Sequence, residues 1–446
     1  MQFNKGVIIR HCEDESLIWS PITGGCVVMR DCEVFLEEIA KENRDTEELV
    51  KSVSARFGVD SEQIRGDLEL VLGELLSQGL VKREDVINGC HVSCRSVNEG
   101  SGKGSPEGLC IDFCKKYRLP VELHLDLTNA CTERCVHCYV PKGQCDFLPF
   151  ELVEKVLIEF RGMNGLTVHL TGGESMLHPD FERICRKCAE LNLNIIILSN
   201  LTLCDDDRIA FINEVGPQFI NVSLYSMTAN EHDAITQMPG SWQKTMSAIR
   251  KCRASGICCR IATPILKMNA DAIPALNEFA DKNQMLLVPE YGIVAQADHC
   301  CENLDHSCSA EELRQMLARD HAYFRRGFDG AMPSCDEKVC DIGESRIFVS
   351  AKGNYYACDM MHDYVIGKVE KDNLREVWYG EKLAYLRKLK NRDFKKCTNC
   401  DNRPWCKVCP SANYNATRDL FTPDSRYCEV SRVVREVYEE LSARGS

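Results

Sequence analysis

Cysteine is the residue that most narrows what this chain can be. There are 28 among 446 residues, and their spacing is uneven. Cys131, Cys135 and Cys138 form one tight run, and Cys397, Cys400, Cys406 and Cys409 form another. Cys335, Cys340 and Cys358 precede the second run and Cys428 follows it. Disulfide scaffolds concentrate cysteine in short secreted chains. This chain is long, and Met1 to Ser16 carries charges where an export signal needs an apolar stretch. Thiolate ligands for metal in a reducing cytoplasm are the expectation. No apolar run is long enough to span a bilayer. A net charge of −13 argues against a nucleic-acid partner, which calls for a basic face.

The length fits two or three domains. Residues 1–84 read as one small unit. Short β-type runs at Val7–Arg10, Leu17–Trp19 and Cys26–Met29 precede helical patterns. In the third helix, Ile64, Leu68, Val71, Leu72, Leu75 and Leu76 make one apolar face. Asp60 or Ser61 is positioned to cap it and Gly79 to end it. Three strands then three helices predict a winged-helix module. Residues 85–118 read as a linker, flexible by composition around Glu99–Gly108, with Cys90, Cys94, Cys110 and Cys114 at its flanks. From residue 119 to about 330, six strand–helix units alternate. Val121–Leu127, Leu166–Leu170, Asn194–Leu198, Phe219–Leu224, Cys258–Thr263 and Met285–Pro289 are the strands. The fold class is therefore α/β, a partial (β/α)6 TIM-type barrel. Residues 331–446 break the pattern and predict a cysteine-rich, metal-organised domain.

Cys131-Thr-Glu-Arg-Cys135-Val-His-Cys138 follows the first barrel strand. Three thiolates can hold three irons of a [4Fe–4S] cube and leave the fourth open. A zinc knuckle completed by His137 is the alternative. The C-x3-C-x2-C spacing resembles the signature of the radical S-adenosylmethionine (SAM) superfamily. The resemblance implies that the open iron chelates SAM, and that one electron splits SAM to a 5′-deoxyadenosyl radical which removes a hydrogen atom from carbon. His137 stands where that family usually has an aromatic residue near the adenine. The second strand ends in Thr171-Gly172-Gly173-Glu174, similar to the family's GGE motif. Its glycines let backbone approach a ligand, and Glu174 can accept from an ammonium. Ser199 and Ser223 match polar positions that contact SAM, and Arg260 is a candidate partner for its carboxylate.

The C-terminal array resembles the SPASM extension of radical SAM enzymes. That likeness implies two auxiliary [4Fe–4S] clusters, three clusters in all. Cys335, Cys340, Cys358 and Cys409 would hold one, and Cys397, Cys400, Cys406 and Cys428 the other. The last gap of the tight run is two residues, where the family usually has three, which leaves the role of Cys409 open. Two zinc sites are the alternative. Cys185, Cys188, Cys252, Cys258 and Cys259 read as small buried hydrophobes. Cys300, Cys301 and Cys308 fall near the expected barrel mouth.

Residues 1–84 are similar to the RiPP recognition element, the leader-binding domain of enzymes that mature ribosomally made peptides. The resemblance implies that a precursor-peptide leader adds a strand beside Cys26–Met29 and the third helix. That helix carries Glu62, Asp67, Glu69 and Glu74 against Arg65, a poor surface for phosphate. The reading is a peptide maturase similar to sactipeptide and ranthipeptide thioether synthases. Its product is a cysteine sulfur-to-carbon crosslink and its electron donor a flavodoxin or ferredoxin. Epimerisation, carbon–carbon or carbon–oxygen crosslinking, and action on a protein or small molecule are the alternatives.

Overall fold

The computed structural model describes residues 2–41, 45–82, 106–290, 292–319 and 331–444. A two-residue strand, β1 (Gln2–Phe3), leads into an antiparallel sheet of β2 (Ile8–Cys12), β3 (Glu15–Trp19) and β4 (Cys26–Arg30), with β3 in the centre. Helices α1 (Glu33–Ala40), α2 (Thr46–Phe57) and α3 (Ser61–Ser77) cover one face. Asp45 caps α2 in a capping box with Glu48, and Gly58 closes it in the left-handed region. Asp60 occupies the N-cap of α3 but makes no side-chain capping bond. A further strand, β5 (Val81–Lys82), pairs with β1 and ties the two ends of the module together.

The predicted linker is only partly a linker. Helix α4 (Pro106–Tyr117) lies against the other face of the sheet, where Cys110, Phe113 and Cys114 pack on Ile8, Leu17, Trp19 and Cys26. Cys110 and Cys114 are thus core residues, while Cys90 and Cys94 lie outside the described residues.

Six parallel strands follow: β6 (Glu122–Thr128), β7 (Thr167–Gly172), β8 (Asn194–Ser199), β9 (Phe219–Ser223), β10 (Cys259–Pro264) and β11 (Leu286–Glu290). Between them run α5 (Phe150–Gly162), α6 (Phe181–Glu190), α7 (Asp206–Val215), α8 (Ala229–Thr236), α9 (Ser241–Ala254) and α10 (Ile273–Lys282). Alternation along β6 decides which side faces where. Leu123, Leu125 and Leu127 are fully buried in the helix-backed core, while Glu122, His124 and Asp126 take the opposite face, inside the barrel. Each buried leucine contributes about 1.5–3 kcal/mol. Val153, Val156, Leu157 and Phe160 of α5 are buried to match.

The C-terminal region does not form a separate sheet. After α11 (Ala310–Arg319), strand β12 (Arg346–Val349) joins the free edge of β6 in parallel, and β13 (Asn354–Tyr356) and β14 (Gly367–Lys368) extend it. The nine strands run β11-β10-β9-β8-β7-β6-β12-β13-β14, so the barrel is open on one side. Helices α12 (Leu374–Tyr379), α13 (Glu381–Leu386), α14 (Lys395–Thr398), α15 (Pro410–Thr417) and α16 (Ser425–Arg444) carry the rest.

The N-terminal module docks on the loops that precede the barrel strands. Buried Arg10 donates from Nε to Gly165 O (3.0 Å) and from Nη2 to Asn192 O (2.7 Å). Asn164 reaches His11 O (2.8 Å) and Gln218 reaches Pro21 O (3.1 Å). Residues 165, 192 and 218 precede β7, β8 and β9, so this contact lies at the end of the barrel opposite the strand C-termini.

Candidate functional site

The cysteine loop begins where β6 stops. Thr128 turns the chain by accepting from Ala130 N (3.0 Å) and donating to Asp146 O (2.7 Å). Arg134 N and Val136 N bond to Thr236 O and Ile235 O, both at 2.9 Å, which satisfies carbonyls at the C-terminus of α8. Ala297 N donates to Tyr139 O (2.8 Å), and Asn303 Nδ2 to His137 O (3.2 Å). Fixed from three directions, the loop holds Cys131, Cys135 and Cys138 as electrostatic neighbours.

Gly172 and Gly173 dock on this loop. Gly173 N donates to Thr128 O (2.7 Å) and Glu174 N to Ala130 O (2.8 Å). A Cβ on either glycine would stand 2.3 Å from a loop carbonyl oxygen, Thr128 O for Gly172 and Ala130 O for Gly173. The missing side chains therefore serve backbone-to-backbone packing of the cysteine loop.

Glu174 points inward. It is fully buried, and its carboxylate accepts from Ser199 Oγ, Asn200 N (2.9 Å) and Met176 N (3.0 Å). These bonds make the side chain a brace for the loop, and three donors leave one of the four lone-pair sites of a carboxylate available to a ligand ammonium. Burial raises the Glu174 pKa above the usual range. Asn200 continues the brace: its amide nitrogen reaches Thr132 Oγ1 (2.9 Å) and Cys131 Sγ (3.7 Å), and its carbonyl accepts from Thr245 (2.8 Å).

A second wall is aromatic. The Tyr225 hydroxyl lies 3.7 Å from Cys135 Sγ, with Ser223 as a neighbour. His137 meets Tyr225 edge-on at 5.0 Å. Burial lowers the His137 pKa to about 4, so the ring is neutral at pH 7. Arg260 does not join either wall. Its guanidinium stacks on Phe219 at 3.5 Å and is an electrostatic neighbour of His169, in the barrel floor.

The sulfurs suit an iron–sulfur cluster. Cys131 Sγ accepts from Glu133 N (3.4 Å) as well as from Asn200, and N–H donors favour the thiolate. Burial pushes the Cys131 thiol up to about 12, so iron binding must displace protons. Zinc needs ligand atoms about 3–4 Å apart at its 2.0–2.3 Å bond lengths. Among the described residues, the one set of three such groups with ligand atoms within 4.8 Å of one another is Glu122, His124 and His169. That set is no metal cage either. The two imidazoles stack in parallel (4.0 Å, 8°), so their lone pairs do not converge, and Arg346 donates to Glu122 (2.8 Å).

In the C-terminal domain the cysteines fall into two groups. Cys397, Cys400, Cys406 and Cys428 are mutual electrostatic neighbours. Cys409 neighbours Cys340 and Cys358 and also touches the first group through Cys406, and its sulfur accepts from Ala412 N (3.3 Å) at the start of α15. Cys335 is exposed, and its carbonyl bonds Arg392 N (3.0 Å). Cys185, Cys188, Cys252 and Cys259 are buried, whereas Cys258 is half-buried. Cys300 and Cys308 are half-buried and Cys301 exposed. The loop carrying the first two of that trio touches the site through Ala297.

The barrel cavity holds residues that motif reading missed. Asp126 is closely surrounded by protein yet not sealed from solvent, as a cavity-lining group must be. Burial, and then the charge of Asp359, raise its pKa to about 7, and the same two causes raise that of Glu290. Tyr139, next to Cys138, stacks on His362 of the C-terminal domain at 5.0 Å. The polar alternation Glu122, His124, Asp126 was the available signal.

Residues 125–280 match the radical SAM superfamily, and residues 340–401 match SPASM, an iron–sulfur cluster-binding domain. The chain is a radical SAM enzyme with a SPASM domain. It is 25% identical to the AdoMet-dependent heme synthase of Methanosarcina barkeri over 68% of this chain and 94% of that one. It is 28% identical to the sporulation killing factor maturation protein SkfB of Bacillus subtilis, over 60% of this chain and 67% of that one. The crystal structure of Streptococcus suis SuiB bound to precursor peptide SuiA is similar in fold, with a TM-score of 0.59 at 15% identity, over 95% of this chain and 99% of that one. Among the described residues no helix is long and apolar enough to cross a membrane.

Proposed function

We propose that this radical SAM enzyme is a cytoplasmic maturase of a ribosomally made precursor peptide. The observation that carries the reading is the N-terminal module: a three-stranded sheet whose strand β4 has β3 on one side and no described strand on the other, docked rigidly on the barrel. An unpaired edge strand is the platform that strand addition uses. Likeness over nearly the whole chain to a structure bound to a precursor peptide, and sequence similarity to a killing-factor maturation protein, support the same reading.

Cys131, Cys135 and Cys138 would hold the SAM-binding [4Fe–4S] cluster. The backbone of Gly172 and Gly173 and the carboxylate of Glu174, together with Ser199, Ser223 and His137, would line the SAM pocket. When bound, SAM and this cluster supply the radical that removes a hydrogen atom from substrate carbon. The chain's own part is positioning. Glu174 and Asn200 fix the loop, neutral His137 and Tyr225 shape its apolar wall, and Asp126 and Glu290 border the cavity. Cys340, Cys358 and Cys409, with or without Cys335, would hold one auxiliary cluster, and Cys397, Cys400, Cys406 and Cys428 the other, three clusters in total. The bond we favour is a thioether from a core-peptide cysteine to carbon.

The test is anaerobic incubation of the reconstituted enzyme with SAM, reductant and the short peptide encoded beside its gene. A loss of two hydrogens per event, with one cysteine resistant to alkylation, supports the thioether. Unchanged mass with deuterium uptake from heavy water moves the assignment to epimerisation. SAM cleavage with an unaltered peptide overturns the substrate class. Hydrogen-exchange protection of Cys26–Arg30 on adding the leader alone tests the docking strand.

A further inference from the structure

The barrel interior holds carboxylates that no donor satisfies. Asp126 on β6 and Glu290 at the end of β11 come from the two outermost of the six parallel strands. Alternation turns both inward: Asp126 lies opposite buried Leu125 and Leu127, and Glu290 opposite buried Leu287. Asp359 approaches from the C-terminal domain, directly after Cys358. Tyr139 has all three carboxylates as electrostatic neighbours, so they face one space. Among the described residues no hydrogen bond or ion pair reaches the side chain of Asp126 or Glu290, and the one charged neighbour of each is Asp359, of like sign. Arg346, a basic neighbour of Asp359, is bonded to Glu122 (2.8 Å). Glu174 and Asp233, at the same end of the barrel, show the ordinary case. Glu174 has its three donors, and Asp233 accepts from Gly240 N (2.6 Å), Trp242 N (2.9 Å) and Ser241 Oγ (2.9 Å).

A flat wall borders the same space. Tyr139 and His362 stack at 5.0 Å and 17°, and Tyr356 meets His362 edge-on at 5.8 Å. The buried Nε2 of His362 has no hydrogen-bond partner, and Asp359 is a neighbour of the ring. Burial keeps that imidazole neutral at pH 7, so it can accept a hydrogen bond. Free carboxylates and a free imidazole call for a donor that carries positive charge. The carboxylate oxygens are not all within 4.8 Å of one another, too wide a set to close on one metal ion. An alkylammonium or a guanidinium can span them, with its stem along the aromatic wall. We propose that Asp126, Glu290 and Asp359, with the Tyr139–His362 wall, form a pocket for one basic side chain, lysine or arginine, of the core peptide. The inference rests on the peptide-maturase reading and adds a sequence requirement to it. Tyr139 follows Cys138 and Asp359 follows Cys358, so the basic residue sits between the cysteine loop and the C-terminal cysteines.

The experiment is a saturation-transfer NMR titration of SAM-loaded, full-length holoenzyme, without reductant. The probes are acetyl-Gly-Lys-Gly-amide and its arginine, norleucine and glutamate counterparts. The lysine and arginine peptides should bind about tenfold more tightly than the norleucine peptide, and the glutamate peptide should not bind. Asp126→Asn/Glu290→Gln should abolish that preference and leave the norleucine peptide as it was. A control, Glu151→Gln/Asp207→Asn, removes the same charge from exposed helix positions and should bind as wild type. Iron content and melting temperature check that both variants are folded and loaded. Equal binding of the lysine and norleucine peptides, equal loss in both double variants, or no binding of any probe overturns the pocket. Loss of SAM affinity in Asp126→Asn/Glu290→Gln also overturns it, since the carboxylates would then serve the cofactor. The probes need no leader. An inert precursor peptide beside a bound lysine probe would remove the maturase reading alone, and a modified precursor with no probe bound would remove the pocket alone.

Discussion

Ser199 donates its hydroxyl to the buried Glu174 carboxylate, 2.9 Å from one oxygen and 3.0 Å from the other, and so joins the ends of two neighbouring strands, β7 and β8. Removing the hydroxyl leaves a buried acceptor short of one donor, which costs about 1–3 kcal/mol. Ser199→Ala should therefore lower the melting temperature modestly and weaken SAM binding, as the brace on Asn200 loosens. Glu174→Gln should do more harm, because an amide NH2 would face the N–H groups of Asn200 or Met176. Thermal unfolding and SAM titration of the two variants would show this order, and reversal of the order would contradict the brace.

Gly173→Ala tests the packing of the loop. The new Cβ would lie 2.3 Å from Ala130 O and 2.8 Å from Asn129 O, both backbone atoms that cannot rotate away. The cysteine loop must shift, and Cys131 shifts with it. The expected outcome is loss of roughly one third of the iron after reconstitution, with the auxiliary clusters retained. Wild-type iron and SAM cleavage in the variant would refute the close-approach argument.

Arg10 holds the N-terminal module to the barrel through Gly165 O and Asn192 O. Burial lowers its pKa to about 9, so it remains charged at neutral pH. Arg10→Met preserves the apolar stem and removes these bonds. Three carbonyls, those of Gly165, Asn192 and Ile9, then lose a donor, at about 1–3 kcal/mol for each that is left buried. We expect faster proteolysis of the module, unchanged peptide-independent SAM cleavage and at least a tenfold fall in peptide turnover. Turnover that holds while the module is cleaved faster would separate docking from catalysis.

Much of this architecture was legible before the structure, and the exceptions share a cause. The strands and the loop motif are local patterns, so periodicity and spacing reported them. Arg10, a charged residue within a strand, gave no hint that it is buried, since its partners lie 155 and 182 residues away. Helix α4 was masked by the Gly/Ser composition just before it, although Leu109, Phe113 and Tyr117 recur at helical spacing. Strand β12 read as part of a separate domain because its pairing with β6 is non-local. The GGE motif announced Glu174, but which way its carboxylate faces depends on the loop after β8.

Asp126 gives a pH dependence with a definite sign. Burial is the main cause of its rise to about 7, with the charge of Asp359 second. The folded state therefore holds the proton more tightly than the unfolded chain, whose aspartate titrates near 4. Stability is lost as pH rises from about 4 through 7, and the full cost is present above 7. Asp126→Asn removes this cost, so it should raise the melting temperature more at pH 8.5 than at pH 6. An equal gain at both values would mean that the aspartate titrates normally.

Cys335 and Cys340 make the last comparison, since both were assigned to the same auxiliary cluster. The structure surrounds Cys340 with protein beside Cys409, which also neighbours Cys358, while Cys335 stays exposed. A cluster held by Cys340, Cys358 and Cys409 alone would keep one iron open to a substrate thiolate, the arrangement a thioether-forming enzyme can use. Cys340→Ser should then lose about four irons and four sulfides per chain, whereas Cys335→Ser should keep both. Mössbauer spectra would add a distinct subsite in the wild type that shifts when the cysteine peptide binds. Equal iron loss in the two variants would make Cys335 a fourth ligand, close the cluster and leave it only electron transfer.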